Sequence, residues 1–173
     1  MILTGKEIEK EVNARKITID PFKTSHLTTN SYDLTLGDIL LKYKEKILDP
    51  KKNNKYKEIT IPKKGFVLRK GSFHLGCSRE KIGSDAYVPI IHARSGIARL
   101  GLFIHVTADL IDIGSHGVIT FQLFATLPVK IYPGMELAQV SFWQPKGEIV
   151  LYSGKYQDSV GPKTSLSYLG NNK

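Results

Sequence analysis

Three neighbouring segments of the chain read Ala93-Arg-Ser-Gly-Ile-Ala-Arg-Leu-Gly-Leu102, His105-Val-Thr-Ala-Asp-Leu-Ile-Asp-Ile-Gly114 and Ile119-Thr-Phe-Gln-Leu-Phe124. The third belongs to a predicted strand over 118–124, in which successive side chains point to opposite faces. Its apolar residues Ile119, Phe121 and Leu123 then share the face that suits a core. Gln122 lies on the other face, where it is either a buried amide satisfied by backbone groups or part of a ligand pocket.

The second segment predicts another strand, over 102–109. The same alternation places Phe103, His105, Thr107 and Asp109 on one face. A single histidine such as His105 is more often structural than catalytic.

The rest of the chain also predicts a mainly β fold. Short β-branched or aromatic-rich runs, bounded by Gly and Pro, lie at 17–20, 31–36, 58–61, 65–68 and 72–75. The exception is Thr4-Gly-Lys-Glu7, which has the form of a capping box and predicts a short helix ending near 13–15. Many short strands with close turns are typical of a sandwich, jelly roll or barrel. We expect a single domain over 1–173, with 154–173 as a mobile tail.

The composition is that of a soluble globular protein. Of the 173 residues, 41% are hydrophobic and 24% are charged, which leaves enough apolar material for one core. No run approaches the ~18 apolar residues of a membrane span, and the first residues lack the apolar stretch of a signal peptide. Because Cys77 is the only cysteine, there is no intrachain disulfide and no cysteine-rich zinc site, and we expect a cytoplasmic protein.

The net charge of +9 is high, and much of it comes from lysines between Lys42 and Lys70. A solvated lysine-rich loop accounts for it most simply. Basic stretches also occur in nucleic-acid-binding proteins, but no helix-turn-helix, RRM or zinc-finger pattern organises these lysines. We therefore expect neither a nucleic acid nor a membrane as partner.

The first segment has the residue types of an anion site. Arginine offers a rigid fork of donors to phosphate oxygens, and Gly96 lets backbone N–H groups approach an anion closely. Taken alone, such a turn is a weak motif. A zinc deaminase signature, a Walker A loop, a GxGxxG loop and a nucleophile elbow are all absent from the sequence.

Several motifs together resemble the dCTP deaminases of the dCTP deaminase/dUTPase superfamily. In order and spacing, the matching motifs are Asn30-Ser-Tyr-Asp-Leu-Thr-Leu-Gly37, Arg94-Ser95…Arg99-Leu-Gly-Leu102, His105-Val-Thr-Ala108, Ile111-Asp112, Tyr132-Pro-Gly-Met135…Gln139 and Gly154-Lys-Tyr-Gln157…Gly161-Pro…Ser165. The resemblance covers essentially the whole chain. The run Arg94-Ser-Gly-Ile-Ala98 is more similar to the trimeric dUTPases, which are cousins of the deaminases.

The resemblance implies a fold, a ligand and an assembly. The fold is a distorted β-barrel or jelly roll of the dUTPase-like type, assembled as a homotrimer with active sites between subunits. The ligand is dCTP, dUTP or a related pyrimidine deoxynucleotide, with Mg²⁺ held through its phosphates and no protein-bound zinc. The tail would act as a lid that excludes water from the charged site.

The implied site falls into three groups. The phosphate-binding group comprises Arg94, Ser95, Gly96, Ile97, Ala98 and Arg99. The nucleoside group comprises Ala108, Ile111, Asp112, Thr120, Phe121 and Gln122, with Asp112 meeting the 3′-hydroxyl of the deoxyribose. The tail group comprises Tyr152, Lys155, Tyr156 and Ser159. The implied catalytic residues are Ser95, Arg99, Ala108, Asp112 and Gln122.

Three positions depart from the deaminase pattern. Gly96 replaces the usual second serine, Ser159 replaces a frequent glutamine, and Gln122 stands where the family usually has a catalytic glutamate. Deamination without zinc needs a base that takes a proton from water and returns it to the leaving amine, and a carboxamide cannot do this.

Three interpretations remain open from the sequence. In the first, the chain is a dCTP deaminase scaffold that forms dUTP and from it dUMP, and Gln122 impairs its deamination step. Alternatively, it is a dUTPase-type enzyme that releases dUMP and pyrophosphate, or a nucleotide-binding protein without catalysis. Fold alone does not separate these three.

Overall fold

The computed structural model describes residues 1–170, which begin with one helix, α1 (Gly5–Asn13), and continue mainly as strands. The strands are β1 (Ile17–Asp20), β2 (Tyr32–Thr35), β3 (Ile39–Tyr43), β4 (Tyr56–Thr60), β5 (Phe66–Leu68), β6 (Phe73–Ser84), β7 (Val88–Ala93), β8 (Leu102–Phe103), β9 (His116–Ala125), β10 (Val129–Ile131) and β11 (Glu136–Trp143). A single helical turn, α2 (Ser95–Ala98), follows β7. Among the described residues, no helix has the length and apolar character needed to cross a membrane.

The strands of residues 1–170 form three antiparallel sheets. The largest has the order β4-β3-β6-β9-β8, with β1 paired to β6 as well. A second sheet has the order β2-β11-β7, and β5 pairs with β10. The predicted mainly β fold with one short N-terminal helix is confirmed, and within the described chain the sheets stay open rather than closing into a barrel.

Helix α1 begins where the capping signal predicts. The Thr4 hydroxyl accepts the Glu7 N–H at 3.4 Å, so one of the free donors of the first turn is satisfied. The helix ends at Asn13 and buries Ile8 completely against the core.

The strand prediction over 118–124 is confirmed inside β9. Phe121 and Leu123 are fully buried, and Ile119 packs against the same core. The strand predicted over 102–109 is wrong beyond β8, so its four alternating residues do not share one sheet face.

A segment over 104–111, called the crossing segment below, explains this difference. At its start, the Ile104 carbonyl accepts the Gln122 N–H of β9 at 2.7 Å. At its end, the Asp109 carbonyl accepts the Ile91 N–H of β7 at 2.9 Å. Because its two ends bond to different sheets, the segment leaves the β9 edge soon after β8.

A buried carboxylate joins the two larger sheets. Glu80 of β6 is almost fully buried, and its two oxygens accept the N–H and the hydroxyl of Thr35 of β2, at 2.9 and 2.6 Å. A buried carboxylate needs such donors, since an unsatisfied one costs several kcal/mol. These bonds therefore fix how the sheets sit around the core.

The tail docks on β9 through residues 157–159. The Val118 N–H donates to the Ser159 carbonyl at 2.8 Å, and Gly117 pairs with Ser159 in parallel. The Gln157 side chain accepts the His116 N–H at 3.0 Å. The tail prediction covers 154–173, of which 171–173 lie outside the described residues; the described part lies on the sheet, and its motion stays a prediction.

Candidate active site

A cavity of about 570 Å³ lies between β9, the crossing segment and the tail. From the residues predicted by sequence, its wall includes Ala108, Ile111, Asp112, Thr120, Gln122, Tyr152, Tyr156 and Ser159. Most of the nucleoside group and most of the tail group are thus brought together in one place.

Gln122 lies on the face of β9 opposite the core, as the strand alternation predicts, and of the two alternatives left open it lines the cavity. Its side-chain Oε1 accepts the Val106 N–H at 3.2 Å. The side chain therefore does two things, because it lines the cavity and also holds the middle of the crossing segment. A glutamate side chain would accept the same hydrogen bond, so the site has the geometry for a carboxylate at this position.

The outer edge of β9 has a gap beside Thr120. The N–H of Val118 bonds to the tail, and the N–H of Gln122 bonds to the crossing segment. Since main-chain groups alternate along a strand, the N–H and C=O of Thr120 point to this same edge, between the two partners. Polar main-chain groups thus face the cavity where a base could be recognised by its edge.

Asp112 supplies the carboxylate of the cavity wall, and Lys163 of the tail supplies the cation, within the described residues. Lys155 lies elsewhere, because its ammonium donates to the Gly170 carbonyl at 2.8 Å. Tyr152 and Tyr156 both line the cavity, and the Tyr156 N–H donates to the Tyr152 hydroxyl at 3.3 Å.

The predicted phosphate-binding group lies apart from this cavity. None of residues 94–99 belongs to the part of the wall that the structure describes. Residues 95–98 form α2, in which Ser95 and Gly96 are exposed while Ile97 packs into the core. Apart from Gly96 itself, its chain neighbours and the backbone of α2, no heavy atom of residues 1–170 lies within 4 Å of the place where a Cβ of Gly96 would stand.

Arg94 is held by two carboxylates. Its guanidinium bonds to Glu136, and it lies 3.4 Å from Asp33 Oδ2. Burial raises the pKa of the Asp33 carboxyl, the Arg94 charge opposes that rise, and Glu136 adds to it. Phosphate binding by Arg94 would have to compete with this pairing.

Phe121 differs from its neighbours in the nucleoside group. Its side chain is 1% exposed and belongs to the core on the opposite face of β9. Only the main chain of this residue is placed to contribute to the site.

Comparison with known proteins identifies the family. The family model described as dCTP deaminase-like matches residues 2–145. The chain belongs to the dCTP deaminase-like family. A protein from Hathewaya histolytica named "dCTP deaminase, dUMP-forming" is 44% identical over 169 residues, covering 97% of this chain and 98% of its own. A protein of the same name from Cytophaga hutchinsonii is 41% identical over 169 residues, covering 97% of both chains.

A solved structure supports the fold independently. The 2'-deoxycytidine 5'-triphosphate deaminase from Agrobacterium tumefaciens superposes with a TM-score of 0.64 at 20% sequence identity. The match covers 82% of this chain and 47% of that chain, so this chain spans about half the length of the solved protein. At this identity the likeness shows that the deaminase-like fold is shared.

The structure adds residues to the candidate site that the sequence did not indicate. Phe73 and Leu75 of β6 line the cavity, and Leu75 lies opposite Gln122 in the β6–β9 pairing. The alternation of the predicted strand at 72–75 puts both on one face, but the pairing register was needed to place them at the cavity. Tyr43 and Lys163 also line it, and they carried no signal in the sequence.

Proposed function

We propose that this protein acts on dCTP as a dUMP-forming deaminase, with a deamination step slowed by Gln122. The observation that carries the proposal is the common cavity of Gln122, Thr120 and Asp112. The names of relatives at 41–44% identity support the same substrate. The polar strand edge at Thr120 can form hydrogen bonds with a pyrimidine base, and the carboxylate of Asp112 can accept a hydrogen bond from a sugar hydroxyl.

In the proposed binding mode, the base lies against the β9 edge. The main chain of Thr120 offers a donor and an acceptor, which can pair with the edge of a pyrimidine. The Asp112 carboxylate accepts a hydrogen bond from the 3′-hydroxyl of the deoxyribose. Ala108 and Ile111 lie in the same wall and limit the space around the sugar and base.

Deamination requires water to add at C4 of cytosine and ammonia to leave. The base at position 122 would remove a proton from the water and return one to the amine. Gln122 can orient the water by hydrogen bonds, but its carboxamide is neither a base nor an acid near neutral pH and cannot carry the proton. In the subsequent step to dUMP, water adds to the α-phosphorus of dUTP as the bond between the α- and β-phosphates breaks and pyrophosphate leaves, and this step does not need a base at position 122.

We further propose that the active protein is a homotrimer in which α2 of one subunit approaches the cavity of another. In the described wall, Lys163 is the one lysine or arginine, which is too little for a triphosphate. Arg94 and Arg99, with Ser95 and the backbone around Gly96, would add donors from a neighbouring subunit. Mg²⁺ bound to the phosphates would neutralise more of their charge. We also propose a cytoplasmic location, because a reducing compartment suits the buried free thiol of Cys77.

The function is tested by product analysis of the unaltered chain. We expect tight binding of dCTP, slow release of ammonia from it, and release of pyrophosphate from dUTP. Ammonia, dUTP, dUMP and pyrophosphate are followed in parallel. Rapid pyrophosphate release from dUTP with no binding of dCTP would favour the dUTPase-type interpretation, and no binding of either nucleotide would contradict the proposal.

The shared site is tested by mixing two defective variants. Arg99→Ala removes an exposed phosphate donor, and Asp112→Ala removes the sugar contact, so each should weaken dCTP binding roughly tenfold or more. If sites lie between subunits, reassembly of an equal mixture restores tight binding at about one site in four. Each variant reassembled alone is the control, and a mixture without any tight sites would show that each site lies within one subunit.

A further inference from the structure

Three hydroxyl groups accept hydrogen bonds from residues 163–166, called the far half of the tail below, and hold this segment across the cavity. The Lys163 N–H donates to Thr120 Oγ1 at 3.0 Å, and the Leu166 N–H donates to Tyr156 Oη at 2.9 Å. Between them, the Ser165 N–H donates to Tyr43 Oη at 2.9 Å. All three hydroxyls belong to residues that line the cavity.

These contacts differ in kind from those of residues 157–159, called the docked half of the tail below. Asp158 and Ser159 join β9 by main-chain bonds, to which Gln157 adds a side-chain bond, and Ser159 is 6% exposed. In residues 163–166, by contrast, main-chain donors meet side-chain hydroxyls, and the segment is exposed or half-buried. Each such bond is worth only about 1 kcal/mol, so this half can detach while the docked half stays.

Tyr43 has a distinct position among the three hydroxyls. Thr120 lies on β9 and Tyr156 lies in the tail itself, whereas Tyr43 ends β3, two strands away from β9 in the six-stranded sheet. Its bond to Ser165 therefore ties the tail to a part of the sheet that the other two bonds do not reach.

We propose that Tyr43 is a positioning residue, whose hydroxyl holds the tail closed over the bound nucleotide. The inference rests on the proposed function for its ligand, and it names a residue outside every family motif quoted above. The closed tail places Lys163 at the cavity, where its charge can act on the phosphates. The hydrogen bond between the Ser165 N–H and the Tyr43 hydroxyl is called the latch below. Its loss should weaken nucleotide binding without altering the sheet.

The test compares Tyr43→Phe with Tyr56→Phe. Tyr56 lies directly opposite Tyr43 on β4 and loses the same atom, but its hydroxyl is not a partner of the tail bonds described here. Without nucleotide, we expect Tyr43→Phe to speed amide exchange in residues 163–166 roughly fivefold or more. We also expect dCTP affinity to fall roughly 3- to 10-fold with an unchanged melting temperature, and Tyr56→Phe to show neither effect.

The outcomes separate the latch from the proposed function. If the unaltered chain binds no dCTP, the proposed function fails, and the exchange comparison alone still decides whether Tyr43 holds the tail. Unchanged exchange in 163–166 overturns the latch. So does faster exchange throughout the six-stranded sheet with a lower melting temperature, because that pattern indicates general destabilisation.

Discussion

Replacing Gln122 by glutamate should increase the rate of ammonia release from dCTP by ~10²–10⁴-fold, the usual contribution of a general base. The substitution adds a group that can accept and return a proton at the cavity wall. It preserves the shape of the side chain, and a carboxylate oxygen can accept the Val106 N–H as Oε1 of Gln122 does. Steady-state release of ammonia, with dCTP affinity measured separately, gives the result.

The matched control is Gln144→Glu, which makes the same chemical change at an exposed residue outside the described cavity wall. It should leave ammonia release unchanged. If Gln122→Glu binds dCTP and yet releases ammonia no faster than the unaltered chain, position 122 is not where the base acts. Fast deamination by the unaltered chain would instead show that a carboxylate is not required here.

Replacing Gly117 by alanine should detach the tail and weaken dCTP binding about tenfold or more, since it removes several tail contacts together. The φ of Gly117 is +147°, a conformation that residues with a Cβ rarely adopt. A Cβ there would also lie 2.7 Å from Ser159 N and 3.0 Å from Ser159 O. Both atoms are main chain, so the tail must move away from β9.

Detachment can be read from amide exchange in residues 157–166 together with dCTP affinity. Gly161→Ala is the control, because among the described residues other than Gly161 and its two chain neighbours no heavy atom lies within 4 Å of its Cβ position. A Gly117→Ala protein with normal exchange in the tail and normal affinity would show that the tail contacts do not support the site.

Local signals in the sequence were sufficient for the elements that depend on neighbouring residues. Thr4 marks the helix start, and the alternation around Phe121 and Leu123 correctly separates the core face of β9 from the face of Gln122. Family motifs then added Asp112, which the structure places in the same cavity. These positions are set by residues close in sequence or by motifs that are read directly.

Contacts between distant residues account for what the sequence could not predict. The crossing segment leaves the β9 edge because it bonds to β7. The alternation of residues within 102–109 does not indicate that β7 is a partner. Tyr43 reaches Ser165 across 122 residues of sequence. Lys155 has a suitable charge, yet its bond to Gly170 directs it elsewhere.

The docked half of the tail has a second consequence, for the solubility of the protein. β8 pairs with β9 only at residues 124–125, so residues 116–118 would form an open strand edge without the tail. Open edges of this kind can pair with other chains and lead to aggregation. Residues 157–159 therefore shield this strand edge from pairing with the edge of another chain, and we expect a protein truncated before residue 157 to expose it.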